Sequence, residues 1–508
     1  MPATTKPTTK PTTKPATLDA LLHAAGIPGG ADVPVTGVTA DSRDVRSGYV
    51  FVAVPGLNSD GLDFVEQAVA SGAAAVVTEQ DPGDVGVPVI RVQDAHRALA
   101  RLAAAWFGEP AEEIALIGIT GSLGKTSVLT MLEGVLQQAG ERVGAIGSEI
   151  IGIRVGDRMH MDTAHTTPDP VTLHRGLRKV VDEGARIAAM EVSSHAIDQE
   201  RVHGVHFAAG VFTNLVPLEH QDYHGSFEEY RRVKLRFCEL IPDSAPLFIG
   251  ADSELLVEAV QGRHTNLISV GFREGADIHI DDVRMSMDGT RYKLVLNSPL
   301  RQRGGGVVPP GAVPVQLRLL GWPHVLNSAF AAALALYLGI PLNTLTDALA
   351  ALEPPGRRME LQRIGDLHVL DDTAGHPESV EAVFDVVRQL LVPGVVVVAA
   401  IRGHRGPDIN RRLATTLARC ISETNVRETI ITNSEETVDE LDEVSVEERA
   451  VYLEGLAEGN VAARHACRLD EALRFARDAA QPGDLVVLLG AQGMRAGADA
   501  LRSALRST

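Results

Sequence analysis

Ile117-Gly118-Ile119-Thr120-Gly121-Ser122-Leu123-Gly124-Lys125-Thr126-Ser127 decides the fold. The apolar run 114–119 reads as a short buried strand, and the pattern predicts a helix over 128–139 after a turn bearing Gly121 and Gly124. Glycines let backbone N–H groups turn inward around a phosphate, and a helix N-terminus adds positive potential there. In that reading Thr120, Gly121, Ser122, Gly124 and Ser127 shape the cradle, Lys125 neutralises β/γ-phosphate charge, and the Thr126 hydroxyl ligates Mg²⁺. The longer phosphate loop wants glycine where Ile119 stands, so the match is to the shorter Gly-x-x-Gly-Lys-Thr form. The competing reading is a glycine-rich strand–helix turn with an incidental lysine. The strand–turn–helix context favours nucleotide binding.

Outward from this loop, short buried-type runs recur at 187–190 and 209–212, with helical segments between them and a long helix over 325–338. The stretch 303–314 is rich in glycine and proline and predicts an exposed loop. Before the loop, residues 49–54 and 74–77 read as strands and 64–71 as a helix, a small α/β domain. After Pro354-Pro355-Gly356, strands are expected at 367–370, 395–400, 429–431 and 485–489. Three successive α/β domains follow, at 17–108, 109–352 and 353–508. Residues 1–16 repeat Thr-Thr-Lys-Pro three times, with nothing apolar to bury, and are expected to form a disordered tail or a weak tether.

The totals narrow the class. A chain of 508 residues with 45% hydrophobic and 22% charged residues can build several cores. The net charge of −19 argues against a nucleic-acid scaffold, because phosphate backbones repel such a surface. Three cysteines, Cys238, Cys420 and Cys467, lack metal-ligand spacing and suit a reducing compartment. No apolar run approaches the roughly 18 residues that span a bilayer, and no signal peptide is evident, so a cytoplasmic protein without membrane insertion is expected.

Two further stretches carry chemistry. Met190-Glu191-Val192-Ser193-Ser194-His195 puts a carboxylate and hydroxyls at a strand's C-terminal end, where open α/β sheets gather ligands. From the residues alone, Glu191 is either a Mg²⁺ ligand or a surface-loop carboxylate. Glu219-His220-Gln221-Asp222-Tyr223-His224 packs two histidines and two acids into six residues, which a metal or catalytic site and a solvated loop explain about equally. His165, His203, His324 and His465 read as structural histidines, Trp106 and Trp322 as packing residues, and Cys238 as core.

Taken in order, these motifs resemble the Mur ligase family, and within it the ligases that add the third residue of the peptidoglycan stem peptide. The resemblance runs from about residue 35 to 508 and rests on Thr-Gly-Ser-Leu-Gly-Lys-Thr at 120–126, Thr166-Thr167-Pro168 and Met-Glu-Val-Ser-Ser-His-Ala at 190–196. It continues through Arg201-Val202-His203-Gly204, Phe-Thr-Asn-Leu at 212–215, Asp-Tyr-His-Gly at 222–225, Glu-Tyr-x-x-x-Lys ending at Lys234, Asn327, and Gly356-Arg357-Arg358-Met359-Glu360. It implies a three-domain α/β architecture with a central P-loop ATPase domain and a Rossmann-like C-terminal domain. It also implies ATP and Mg²⁺ as cofactors, a UDP-sugar peptide and an amino acid as substrates, and a monomer or weak oligomer. Lys234 matches a lysine the family carbamylates, with Glu191 and His220 as its metal-binding companions. Asn327, Arg358 and Asp372 match ATP contacts, while Ser42, Arg43, Asp60, Thr166, Thr167, Ser193 and Arg201 match the UDP-substrate site.

The departures cluster. Leu123 replaces the asparagine of the ATP loop, and the third domain's glycine- and arginine-rich loop becomes Arg402-Gly403-His404-Arg405-Gly406-Pro407-Asp408. Asp-Tyr-Ala-His-Thr-Pro becomes Asp372-Thr373-Ala374-Gly375-His376-Pro377. Where diaminopimelate-using members carry Asp-Asn-Pro-Arg, this chain has Ser434-Glu435-Glu436-Thr437, and Gly-Lys-Gly-His-Glu becomes Gly490-Ala491-Gln492-Gly493-Met494. Without the arginine that holds a distal carboxylate, and with two glutamates nearby, the pocket is expected to prefer L-lysine or L-ornithine. The alternatives are an amide ligase of the cyanophycin-synthetase or folylpolyglutamate type, and a non-catalytic nucleotide-binding derivative.

Overall fold

The computed structural model describes residues 14–506 except 57–58, 149–150, 157, 164, 218–220, 354–355 and 441, and only the backbone at 221–222. Most of the expected tail therefore lies outside the described residues; within it, the Lys14 ammonium sits 5.2 Å from the centroid of the Trp106 ring. Two compact units are resolved.

The first unit holds Met1–His279 with Asn297–Pro309 and Phe330–Ile340. It opens with a parallel sheet, β1 (Gly37–Thr39), β2 (Tyr49–Ala53), β3 (Ala75–Thr78) and β4 (Val89–Arg91), in that order. Successive residues of β2 serve opposite faces. Val50 and Val52 pack with Leu18, Leu22 and Leu99, whereas Phe51 and Ala53 pack with Val65 and Ala68. Burial on both faces is why these strands read as continuous apolar runs rather than alternating ones.

The larger sheet uses β5 (Ala115–Thr120), β6 (Val143–Ile146), β7 (Ile153–Val155), β8 (Arg158–Met161), β9 (Ile187–Glu191), β10 (Ala209–Phe212), β11 (Leu247–Gly250) and β12 (Leu267–Gly271). Its order within this unit is β12-β11-β10-β5-β9-β6-β7-β8, with β7 and β8 antiparallel to their neighbours. Because β5, β9 and β10 are parallel and in register (Ile119 beside Glu191, Thr120 beside Phe212), residues 120–126, 191–195 and 213–216 leave the sheet at the same end. That edge is where an α/β sheet binds ligands.

The strand β13 (Ile278–Ser286) starts in the first unit and continues in the second, beside β14 (Gly289–Leu296). The short ribbon of β15 (Leu300–Arg301) and β16 (Val307–Val308) precedes β17 (Gly311–Leu317), which pairs antiparallel with β14. The expected loop 303–314 is therefore partly strand. Pro314 is tolerated because β17 is the edge strand of its sheet, where a missing N–H costs no ladder bond.

The second unit continues with β18 (Glu360–Ile364), β19 (Leu367–Asp372), β20 (Val395–Ala400), β21 (Val426–Thr432), β22 (Arg464–Ala466) and β23 (Leu485–Leu489). Their order is β18-β19-β23-β20-β21-β22, parallel except for β18. This is a doubly wound, Rossmann-like sheet, as the sequence implied. Its core on one face joins Val396, Val398, Ile430 and Val486 to the helix Leu469–Ala479 through Leu469, Ala472 and Leu473. Among the described residues no helix is long and apolar enough to cross a membrane.

Candidate active site

The strand β5 is buried along its whole length and ends at Gly121, whose φ of 142° and proximity to the Thr213 hydroxyl leave room for no side chain. Gly124, at φ 88°, caps the helix Lys125–Gln138. Around this turn two ammonium groups converge. Lys125 Nζ donates to the carbonyls of Gly121 (2.8 Å) and Ser122 (3.0 Å). Lys234 Nζ, on the helix Phe227–Leu235 and 1% exposed, donates to the Gly121 carbonyl (2.8 Å) and Thr120 Oγ1 (2.9 Å). Ser122 is not free to face a ligand with its hydroxyl, which accepts the Val216 N–H and meets the Tyr230 hydroxyl at 2.8 Å.

Thr126, in the first helical turn beside Ser127, donates its hydroxyl to Glu191 Oε1 at 3.0 Å. The Ser148 N–H donates to the same oxygen at 3.3 Å. Burial raises the Glu191 carboxyl above its ordinary value, opposed by the Ser148 N–H, the Lys125 charge and the Thr126 hydroxyl. A buried carboxylate beside a threonine hydroxyl is an all-oxygen donor set, the kind a hard divalent cation takes. His220 and Glu219 lie outside the described residues, and so does the Asp222 side chain.

A second set of groups begins at the end of β9. Thr167 Oγ1 donates to the Glu191 backbone carbonyl (2.9 Å) and accepts the Ser193 N–H (2.9 Å), so Thr167 and Ser193 are held together at the end of β9. Arg201 Nη1 donates to the Thr167 carbonyl at 2.7 Å, and Gln199 Oε1 accepts two more of its N–H groups at 3.1 and 2.7 Å. Gln199 in turn donates to the Tyr223 hydroxyl (3.3 Å), which donates to Asp198 (2.9 Å). Burial lowers the pKa of Arg201, yet a guanidinium stays charged. The cleft beside it is lined by Ala40, Val54, His96, Asp162, His165 and Gln199 among others.

The expected N-terminal contacts are spent locally. Ser42 Oγ donates to Gln67 (3.2 Å), Arg43 forks onto its neighbour Asp41, and Asp60 Oδ1 accepts the Leu62 N–H (2.9 Å). Their neighbours Ala40 and Val54, rather than these three, line the cleft.

In the second unit Asn327 lies buried on the helix Trp322–Leu338, and Arg358 is exposed. Asp372 closes β19 and accepts the Met359 N–H at 2.8 Å, with burial raising its carboxyl. The preceding Arg357, at φ 56°, is the hub. Its Nε donates to both Asp371 oxygens (3.2 and 3.1 Å), Nη1 to the Ala491 carbonyl (2.7 Å) and Nη2 to the Gly490 carbonyl (2.5 Å). At the loop 402–406, the N–H groups of Arg405 and Gly406 are taken by the buried Glu448 carboxylate at 3.0 and 2.9 Å.

The pair Glu435-Glu436 divides its duties. Glu436 Oε1 accepts the Asp470 N–H at the start of the helix Leu469–Ala479 (3.1 Å), a capping contact, whereas Glu435 Oε1 accepts from Asn433 Nδ2 at 3.2 Å and the Glu435 carboxylate also meets the Cys467 thiol. The expectation of two carboxylates facing a substrate ammonium therefore reduces to Glu435. His465, His203 and Cys238 behave structurally: His465 bonds Asn433, His203 pairs with Glu200, and Cys238 is buried with its thiol pushed up to about 11. Ser148, Gln199 and Glu448 went unnoticed in the sequence, and Arg357 stood out only as part of a motif, without its role. Three of the four act on or through backbone groups, which composition and spacing do not report. Only Glu448, three residues after Ser445 in a capping-box pattern, left a readable signal.

Comparisons with known proteins agree across the chain. The family described as "Mur ligase family, catalytic domain" matches residues 34–107, "Mur ligase middle domain" matches 119–335, and "Mur ligase, glutamate ligase domain" matches 357–492. The UDP-N-acetylmuramoyl-L-alanyl-D-glutamate–2,6-diaminopimelate ligase of Geobacillus kaustophilus is 35% identical over 472 residues, covering 91% of this chain and 90% of the relative. That of Aquifex aeolicus is 33% identical over 457 residues, covering 90% and 88%. A solved structure of a ligase of the same name superposes with a TM-score of 0.72 at 23% identity, over 93% of this chain and 95% of the other. Folylpolyglutamate synthase of Mycobacterium tuberculosis, solved with ADP and AMPPCP, reaches a TM-score of 0.57 at 16% identity, over 80% and 93%.

Proposed function

This chain belongs to the Mur ligase family, and from that membership we propose that it is an ATP-dependent amide ligase of peptidoglycan synthesis. Its substrate is UDP-N-acetylmuramoyl-L-alanyl-D-glutamate, and it joins an amino acid to that carboxylate. Relatives about a third identical over nine-tenths of the chain carry that name, and the solved structure of the same name shares the fold. The three family segments fall inside the divisions 17–108, 109–352 and 353–508, which we keep as the domains.

The observation that carries the reading is the convergence of Lys125 and Lys234 on one carbonyl of the phosphate loop, with Thr126 and Glu191 paired beside it. In the reaction a substrate carboxylate, a poor electrophile, takes the γ-phosphoryl group of ATP and releases ADP. The amine of the incoming amino acid attacks the acyl-phosphate carbon, and the tetrahedral intermediate expels phosphate as the amide forms. Lys125 offsets the charge that develops on the transferred group, a mainly electrostatic contribution. Thr120, Gly121, Gly124, Thr126 and Ser127 cradle the phosphates. The resemblance assigns ATP contacts in the second unit to Asn327, Arg358 and Asp372, and Ser193, Thr167 and Arg201 hold the peptide carboxylate. Thr126 and Glu191 fit a Mg²⁺ ion by their oxygen chemistry; with His220 and a carbamylated Lys234, the resemblance completes the set. The ion's contribution when bound is to neutralise phosphate oxygens. A UDP-linked substrate and ATP support a cytoplasmic reaction.

For the acceptor we propose L-lysine or L-ornithine. No arginine stands among residues 434–437 to clamp a distal carboxylate, while Glu435 offers a negative partner to a side-chain ammonium. The relatives are named for diaminopimelate, so the pocket's departure is what separates this chain from them. An amino-acid panel with ATP, Mg²⁺ and the UDP-dipeptide, read by ADP release and product mass, tests it. Lysine or ornithine should give the highest kcat/KM, and Glu435→Gln should lower that value by about tenfold. A clear preference for diaminopimelate in the parental enzyme would refute the choice.

A further inference from the structure

Leu123 sits at the tip of the phosphate loop with its side chain 55% exposed to solvent. An apolar side chain pointing into water contributes nothing to loop shape, yet the loop backbone is firmly held. The grip comes from the two residues that follow β10. Asn214 Oδ1 accepts the Leu123 N–H at 2.9 Å, and Asn214 Nδ2 donates to the Leu123 carbonyl at 3.1 Å. One carboxamide thus satisfies both backbone groups of residue 123, as a neighbouring strand would. Thr213 Oγ1 donates to the same carbonyl at 2.6 Å, and the Ser122 N–H donates to the Asn214 carbonyl at 3.1 Å.

The close fit extends on both sides of Thr213. A side-chain carbon on Gly121 would lie 1.9 Å from the Thr213 hydroxyl, and one on Gly250 would lie 2.0 Å from the Thr213 carbonyl. Thr213 is therefore wedged between the loop and β11 with no freedom to withdraw. The first turn of the helix Lys125–Gln138 leaves its N–H groups without partners inside the helix. Those are the groups that can meet a phosphate, and turning the Leu123 N–H toward Asn214 fixes where the chain enters that turn.

We propose that Thr213 and Asn214 are positioning residues for nucleotide binding: by clamping the backbone of Leu123 they set the phosphate loop's geometry independently of the side chain at 123. This explains how an apolar residue can occupy the loop tip without loss of the cradle. Neither residue needs to touch the nucleotide.

The proposal rests on the reading of residues 120–127 as an ATP loop, so Lys125→Ala is measured alongside. The probe is a non-hydrolysable ATP analogue with Mg²⁺, its affinity for the full-length protein measured by calorimetry, with the affinity for the UDP-dipeptide as the internal reference. Asn214→Ala and Thr213→Val should each weaken analogue binding by about tenfold, since Asn214→Ala takes the acceptor from the Leu123 N–H and Thr213→Val takes one of the two donors from the Leu123 carbonyl. Thr213→Ser, which keeps the hydroxyl, should recover analogue binding relative to Thr213→Val, and UDP-dipeptide affinity should change less than twofold in all three. Thr213→Val alters the side chain by one atom, so it carries the test if Asn214→Ala does not fold. If Lys125→Ala weakens analogue binding while Asn214→Ala and Thr213→Val bind like the parent, or weaken both ligands equally, the positioning role is wrong. If Lys125→Ala also binds like the parent, the ATP-loop reading fails instead.

Discussion

Lys234 is a long cation 1% exposed, held by one hydroxyl and one carbonyl of the phosphate loop. Burying such a group is costly, and an apolar replacement of similar length often leaves stability unchanged or raised. Lys234→Met should therefore keep or raise Tm while lowering kcat at least about a hundredfold, because methionine cannot be carbamylated and so cannot supply the metal ligand proposed for this position. Thermal melting together with ADP release checks both halves, and parental turnover in Lys234→Met would contradict the role. Arg357 invites a different expectation. Its guanidinium, 19% exposed, faces Asp371 at 3% and two carbonyls of the 490–491 turn. Arg357→Ala would leave a buried carboxylate uncompensated and should cost about 3 kcal/mol in urea unfolding; a loss below about 1 kcal/mol would mean that water or a neighbour replaces the fork.

The helix Pro170–Asp182 carries a buried titratable group that the chemistry does not use. His174 is 1% exposed, neither ring nitrogen has a hydrogen-bond partner, and burial, with the Arg101 charge, lowers it from 6.5 to about 4. Between those values the unfolded chain binds the proton and the folded chain does not, so stability rises with pH from about 4 to 6.5 and is level above. Acidifying from pH 7 to 5 should cost about 2 kcal/mol through this residue alone. His174→Leu should flatten that part of the Tm-against-pH curve; an unchanged slope would assign the acid sensitivity elsewhere.

The elements that were legible share one property. Strands β5, β10, β20 and β23 are almost wholly apolar and almost wholly buried, so their runs stand out. The strands β13, β14 and β17 are half-exposed; the sequence points to no strand at β13 or β14, and the glycines and prolines of 303–314 masked the start of β17 as loop. The phosphate loop was readable because its chemistry is contiguous in sequence. The Ser148 amide on Glu191 and the Asn214 clamp were not, because each joins a side chain to a partner far along the chain, and the Gln199 brace on Arg201, although only two residues away, depends on a side-chain geometry that spacing does not report. The proposed acceptor pocket was half legible: the absence of an arginine at 434–437 showed in the sequence, but the diversion of Glu436 into a helix cap did not.

Across the whole chain the departures from the family are uneven. In the first unit the two lysines, Thr126 and Glu191 converge despite Leu123, whereas most replacements fall in the second unit, between residues 372 and 494. On the proposed reading, activation of the carboxylate keeps the residues of the family's motifs, and the choice of amine is where this chain departs from them. The net charge of −19 fits this division, since small anionic substrates must be drawn in by local cations rather than by the overall field. The most direct measurement is ADP release coupled to amide product, with ATP, Mg²⁺, the UDP-dipeptide and L-lysine or L-ornithine, in the parental enzyme and in folded Lys125→Ala. The account predicts one ADP per amide formed, release only when dipeptide and amino acid are both present, and loss of at least about a hundredfold in the variant. ADP release without amide for any amino acid, or a Lys125→Ala enzyme working at the parental rate, would contradict it.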